Sequence, residues 1–194
     1  MPHYYSQEQQ TPSQPTEVEI GFRDRSYIFL TDRGVFSKGR LDYGTQTLLN
    51  AAVDEIAEPF LDLGCGYGAV GVIAGSIKGI SVDMTDVNKR ALELAKKNAN
   101  RYRVEAEVFY SDGFAQNDRQ YQTIFLNPPI RAGKEVVHRL FKESHEHLLP
   151  GGSLYIVIQK KQGLGSAKKY LLTLFKEVQT LERSAGYHVL KCTK

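Results

Sequence analysis

Cysteine is scarce in this chain: Cys65 and Cys192 stand alone, too isolated to build a disulfide framework or a cysteine metal centre. His138, His145 and His147 share a predicted helix without cysteine partners or supporting carboxylates at ligand spacing, so no metal is expected. No apolar run approaches the roughly 20 residues that cross a bilayer. The first twenty residues are polar, unlike a secretory leader, and a reducing cytoplasm is the expected compartment. A large charge excess is also missing, since a net charge of +3 is too small to indicate a nucleic-acid partner unaided.

What the chain does contain is the composition of an ordinary globular domain, 41% apolar and 24% charged over 194 residues. That length fits one domain with a modest extension. The charge is unevenly spread. Residues 1–60 hold five Lys/Arg against nine Asp/Glu, residues 61–130 eight against eight, and residues 131–194 twelve against five. The basic excess includes Arg131, Lys134, Arg139, Lys160, Lys161, Lys168 and Lys169. It is either a solvated face or a surface that neutralises phosphates.

Residues 1–16 are expected to form a flexible arm, polar and proline-containing from Ser6 onward. His3-Tyr4-Tyr5 within it suits a lid, an RNA-stacking element or a docked end. A single domain should occupy 17–194, with 17–40 as a hairpin and loop extension. Val18, Ile20 and Phe22, then Tyr27 and Phe29, alternate on either side of Arg23-Asp24-Arg25, which predicts the hairpin. A loop over 34–45 leads into a helix with Leu48, Leu49, Ala52, Val53 and Ile56 on its apolar side, capped by Asp42 or Thr45. Strands are then predicted over 59–64, 80–86, 106–110, 122–126, 153–159, 177–183 and 187–192. Helices are predicted over 68–77, 88–101, 134–148 and 166–175, the third closed by Pro150-Gly151-Gly152. The alternation implies a Rossmann-like α/β fold: a mostly parallel seven-stranded sheet with one antiparallel strand and helices on both faces.

The organising stretch is Leu61-Asp62-Leu63-Gly64-Cys65-Gly66-Tyr67-Gly68-Ala69-Val70-Gly71. A strand that turns through closely spaced glycines into a helix lets the main chain approach a bound nucleoside. Asp62 can order that turn or meet a cationic amino-acid tail. Asp86 ends the second strand of the alternating region, where a carboxylate accepts from ribose hydroxyls or caps a helix, a task Asn88 suits better. Asp112-Gly113 ends the third, where it can accept from an adenine amino group with Phe114 or Val87 against the ring, or form an Asx-turn. Cys65 reads as a small loop residue. The pattern Gly66-x-Gly68-x-x-Gly71 also satisfies a dinucleotide fingerprint, so a nicotinamide enzyme stays open on the loop alone.

A second site discriminates. Ile124-Phe125-Leu126-Asn127-Pro128-Pro129-Ile130 is an apolar strand that stops at an asparagine locked against two prolines. An exocyclic or carboxamide nitrogen is a poor nucleophile because its lone pair is delocalised. If the Asn127 side-chain oxygen and the Pro128 carbonyl accept its two N–H bonds, the lone pair can be aimed at a sulfonium methyl, with no strong base needed. Asn127 and Pro128 are the expected catalytic pair. Pro129, Ile130, Arg131, Lys134, Lys160 and Lys161 are the expected substrate contacts, the last two in Gln159-Lys160-Lys161-Gln162-Gly163 after the fifth strand.

With these elements the chain resembles the class I S-adenosylmethionine-dependent methyltransferases, in the small-domain group related to bacterial small-subunit rRNA guanine-N2 methyltransferases. The resemblance runs from about residue 18 onward, on Gly34-Val35-Phe36-Ser37, Leu41-Asp42-Tyr43-Gly44-Thr45, the glycine loop, Asp86-Val87-Asn88, Ser111-Asp112 and Asn127-Pro128-Pro129. It implies that Asp62, Gly64, Gly66 and Gly68 cradle the methionine part of S-adenosylmethionine, Asp86 the ribose and Asp112 the adenine. Gly44 and Thr45 would line the cofactor from the preceding helix, Val87 and Gly113 would flank it, and Asn127 would touch both cofactor and target amine. Members of that group often carry a degenerate methyltransferase-like domain in front, where this chain has only an arm and a hairpin. They usually place an aromatic residue after Asn-Pro-Pro, where this chain has Ile130. Guanine N2 of ribosomal RNA is the implied target. A glutamine side chain of a translation factor and a non-catalytic ribosome-assembly module are the alternatives.

Overall fold

The computed structural model describes residues 12–35 and 41–194. His3-Tyr4-Tyr5, most of the expected arm and Phe36-Ser37-Lys38-Gly39-Arg40 lie outside the described residues. The remaining piece of the arm runs beside Asp32, whose carboxylate accepts from Ser13 Oγ and the Gln14 N–H, both at 2.6 Å.

The chain opens with a hairpin of β1 (Thr16–Phe22) and β2 (Arg25–Thr31), followed by α1 (Tyr43–Ala52). Alternation then sets in: β3 (Phe60–Leu63), α2 (Ala69–Lys78), β4 (Val82–Asp86), α3 (Lys89–Arg101) and β5 (Ala106–Tyr110). The second half contains β6 (Tyr121–Leu126), α4 (Lys134–His147), β7 (Leu148–Gln159), α5 (Leu164–Leu174), β8 (Glu177–Ser184) and β9 (Tyr187–Thr193). The sheet order is β5-β4-β3-β6-β7-β9-β8, and β9 runs antiparallel between β7 and β8.

Successive strand residues point to opposite faces, so strands apolar at every position demand a helical layer on each side. Phe60, Phe125, Tyr155 and Val157 face the hairpin, α1, α2 and α3. Leu61, Leu63, Ile124, Leu126, Leu154, Ile156 and Ile158 face α4 and α5. Pro150-Gly151-Gly152 does not stand between helix and strand as expected, because β7 already begins at Leu148. Its pairing with β6 shifts between Tyr121↔Leu148 and Thr123↔Ser153, a bulge that absorbs the Pro-Gly-Gly segment. A Cβ at Gly152 would lie 3.0 Å from the carbonyl oxygens of both Gln122 and Leu149, so only glycine fits this crowded corner.

The chain builds outward from β3 to β5, then returns to lay β6 on the other side of β3. That reversal opens a crevice beyond the carboxyl ends of β3 and β6, the place where open α/β sheets bind ligands. The hairpin packs on the helical layer flanking it. The buried Asn98 amide of α3 pairs both backbone groups of Leu30, accepting at 2.8 Å and donating at 3.0 Å, and donates to the Tyr67 carbonyl at 2.8 Å. Asn98 thereby acts as a one-residue strand that hooks the hairpin to the glycine loop. Tyr102 repeats the device, its hydroxyl accepting from the Ile28 N–H and donating to the Ile28 carbonyl.

Replacing Asn98 by Ala strands three backbone groups and should lower stability by about 3 kcal/mol. Urea unfolding monitored by circular dichroism reads the loss, and amide exchange should quicken first in β2.

Candidate active site

The crevice widens into a cavity of about 840 Å³, lined by the glycine turn, Asp86, Asp112 and the Asn-Pro-Pro segment. The turn is stitched to β4: the Gly64 and Cys65 N–H groups donate to the Thr85 carbonyl at 2.8 and 2.9 Å. Gly64 and Gly66 have φ of 72° and 56°, and a Cβ on either would meet nothing within 4 Å. Both line the cavity, so the backbone presents itself bare to whatever binds there. Gly68 has a different task, since a Cβ there would lie 3.0 Å from that of Ala95 on α3. It is a packing glycine and does not line the cavity.

Two carboxylates organise this end. Asp62 is 4% exposed, and its Oδ2 accepts the Gly71 N–H at 2.9 Å, satisfying a free amide of the first turn of α2. Burial pushes its carboxyl up to about 7, the nearby Asp86 charge adds to this, and the Gly71 N–H opposes it. Asp86 accepts from Gly66 N–H through Oδ2 and Asn88 N–H through Oδ1, each at 2.8 Å. Burial raises its pKa against those bonds. The Val87 N–H adds a third backbone bond, and the carboxylate still keeps a lone pair for a ligand hydroxyl. Asn88 caps α3, accepting from Arg90 and Ala91 N–H at 3.1 and 3.2 Å, which leaves Asp86 for the cavity. The Cys65 thiol is driven up by burial and by the two carboxylates, the opposite of an activated nucleophile.

At the third strand end, Asp112 is exposed and pairs with Arg139 of α4 at 2.6 Å. Arg139 also meets Glu143 at 3.1 Å, so this member of the basic excess is committed to acids rather than left for phosphate. Gly113 is φ 58° and packs under Glu143, whose Oε2 would sit 2.1 Å from an added Cβ. The left-handed backbone conformation, more than this movable carboxylate, is what favours glycine there.

Asn127 stands where β6 leaves the sheet. Its Nδ2 donates to Thr45 Oγ1 at 3.0 Å and Asp42 Oδ2 at 3.2 Å. An ionised Asp42 can only accept, which decides the orientation of the amide. The side-chain oxygen of Asn127 is therefore turned from these anchors and forms no hydrogen bond among the described residues, and Asn127 lines the cavity. Asp42 also caps α1 by accepting the Thr45 N–H at 3.1 Å. Pro129, with φ −74° and ψ 75°, centres an inverse γ-turn in which the Ile130 N–H donates to the Pro128 carbonyl at 2.8 Å. That carbonyl is held rigid and keeps its second lone pair.

Thr45, Val87, Gly113, Pro129, Ile130 and Arg131 join this lining, whereas Gly44, Lys134, Lys160 and Lys161 lie outside it. The lysines are exposed and form no ion pair among the described residues. His138, His145 and His147 stack on or abut Tyr170, Phe175 and Phe114 respectively. Sequence reading missed the anchoring of Asn127 by Asp42 and Thr45, and it missed Tyr187 and Gln162 as lining residues. No local pattern announces contacts across 82 and 85 residues.

Comparison with known proteins agrees with this geometry. A solved T. thermophilus 16S rRNA N2 G1207 methyltransferase (RsmC), in complex with AdoMet and guanosine, superposes with a TM-score of 0.83 at 25% identity, over 94% of this chain and 51% of that one. The uncharacterized protein YbxB of Bacillus subtilis (strain 168) is 40% identical over 99% of this chain and 98% of its own length. Ribosomal RNA small subunit methyltransferase C of Haemophilus influenzae (strain 86-028NP) is 38% identical over 64% of this chain, which spans 39% of that relative. The model of the methyltransferase small domain matches residues 26–191, and the chain belongs to that family.

Proposed function

We propose that the protein transfers a methyl group from S-adenosylmethionine to an exocyclic amine, with guanine N2 of small-subunit ribosomal RNA as the target. The carrying observation is the pinned Asn127 amide, whose oxygen is left open beside the glycine turn. The residues present fit the cofactor. Bare backbone at Gly64 and Gly66 leaves room for its methionine part, Asp62 offers a carboxylate oxygen without a partner among the described residues to its ammonium, and Asp86 has lone pairs for a ribose. Asp112, oriented by Arg139, can accept from an adenine amino group. When bound, S-adenosylmethionine supplies an electrophilic methyl on sulfonium.

The chain's own part is orientation. Asn127 Oδ1 and the Pro128 carbonyl accept the two N–H bonds of the target amine, drawing its lone pair out of conjugation and toward the methyl. Positive charge grows on that nitrogen during transfer, and two fixed acceptors stabilise it. A guanine in a helix must be unpaired or flipped to reach them. The exposed Lys134, Lys160 and Lys161 can hold phosphates. The relatives named as rRNA methyltransferases support this substrate class.

Incubation with methyl-labelled cofactor and fractionated small subunits, free RNA and protein tests the assignment: label in N2-methylguanosine is expected, and label confined to a protein glutamine refutes it. Asn127→Ala should lower kcat about 100-fold or more while cofactor affinity, read by calorimetry, changes little. Asp42→Ser keeps an N-cap residue but releases the amide. It should leave the unfolding midpoint nearly unchanged while kcat falls about 10-fold.

Asp62 gives a pH dependence. Its carboxyl titrates at about 7 in the empty site, and a cationic ligand favours the ionised form. Cofactor affinity should therefore fall about tenfold per unit as pH drops below 7 and level off above it, and Asp62→Asn should flatten the profile. The same raised pKa means that, without cofactor, this group's contribution to stability declines as pH rises from the ordinary carboxylate range to about 7 and is level above it.

A further inference from the structure

Ile130 offers no ring to a target base, yet the cavity has an aromatic wall elsewhere. Among the described residues its aromatic lining consists of Tyr67, Tyr110 and Tyr187. Tyr67 is 3% exposed and packs edge-on against Phe29 in the core. Tyr110 ends β5, the outermost strand on the Asp112 side. Tyr187 is different. It begins β9 opposite Gln159, at the carboxyl end of β7, and β7 separates it from β6 and the Asn-Pro-Pro segment.

Two inter-strand spacings put the backbones of β6 and β9 about 9 to 10 Å apart. Flat groups in contact lie about 3.5 to 4 Å from each other, so a ring held between two walls needs about 7 to 8 Å. β7 fills the sheet plane between β6 and β9 as far as Gln159, so a base of that thickness would lie beyond its end, where Gln159 and Gln162 line the cavity.

The Tyr187 ring is braced for such a role. Gly44 lies in α1 without a positive φ, so its backbone does not require glycine; a Cβ there would come within 2.9 Å of Tyr187 Cε1 and 3.0 Å of Asp42 Oδ2. The missing side chain lets the ring lie against the first turn of α1, next to the carboxylate that pins Asn127. Tyr43 also abuts it, the two rings 5.6 Å apart with their planes tilted by 47°, and the Tyr43 hydroxyl lies 2.7 Å from Ser184 Oγ. A ring already held by two neighbours loses little freedom when a ligand stacks on its remaining face. Beside it, the Lys160 N–H donates to the Gly186 carbonyl at 2.7 Å, which fastens the turn bearing the exposed Lys160 and Lys161 to the residue preceding Tyr187. An aromatic face next to cations that form no ion pair among the described residues is the arrangement that holds a nucleobase and its phosphate.

We propose that Tyr187 forms one wall of the target-base slot, stacking on the flipped base opposite Pro129 and Ile130, and that Gly44 exists to seat that ring. The proposal rests on the base-amine reading above. It assigns the substrate-facing aromatic surface to β9, some 60 residues beyond the catalytic turn in sequence.

The test is steady-state methyl transfer to small-subunit RNA by wild type, Tyr187→Leu, Tyr187→Phe and Gly44→Ala, with cofactor affinity measured by calorimetry on each. Tyr187→Leu should raise KM for RNA about 10-fold, with cofactor affinity within about twofold of wild type. Tyr187→Phe, which keeps the ring, should restore KM, and Gly44→Ala should raise KM by displacing an unaltered ring. An unchanged RNA KM in Tyr187→Leu overturns the wall while leaving the base-amine reading intact. A matching loss of cofactor affinity, or a Phe variant as poor as Leu, also overturns it. Wild type that methylates only protein removes the reading and the wall together.

Discussion

Everything at the site depends on the parallel register of β3 and β6. Leu63 pairs with Leu126, so the next residue on each strand, Gly64 and Asn127, leaves the sheet beside the other. A slip of one residue would turn the apolar set of β6 to the wrong face and move Asn127 away from the turn. Two strands buried on both faces make such a slip costly, because Ile124 and Leu126 would exchange layers with Phe125. The geometry of the candidate site is thus guarded by core packing rather than by the polar residues themselves.

The polar residues add a second level of order. Asp62, Asp86 and Asp42 each spend at least one oxygen on a backbone N–H, at Gly71, Gly66 and Thr45. These bonds fasten the start of α2, the glycine turn and the start of α1 around one cavity. Each carboxylate is therefore structural, and burial at this end of the sheet raises the pKa of both Asp62 and Asp86.

The hairpin is part of the same machinery. Asn98 joins Leu30 of β2 to Tyr67 of the glycine turn, and Asn88 reaches back to the Gly34 carbonyl at 3.0 Å. Gly34 and Val35 consequently line the cavity although they precede the first strand of the sheet. The segment ahead of the Rossmann-like core closes the cavity's flank, so this part of the chain does more than decorate the domain.

The linear pattern carried the architecture well. Alternating apolar runs, glycine turns and caps such as Asn88 act over a few residues, so the order of strands and helices, the hairpin, and the pairing of a glycine loop with a strand-terminal Asn-Pro-Pro could all be read from it. Side-chain partners brought together by the sheet order could not. That Asp42 and Thr45 aim the Asn127 amide, that Arg139 is held by Asp112, that Gly44 faces Tyr187 while Gly68 faces Ala95, and that Pro150-Gly151-Gly152 sits in a bulge all follow from contacts between distant segments. Local preference encodes which elements form, because backbone sterics and hydrophobic period are short-range. Which oxygen an amide presents, and to what, is a matter of three-dimensional neighbours, and those exist only once the strands have taken their places.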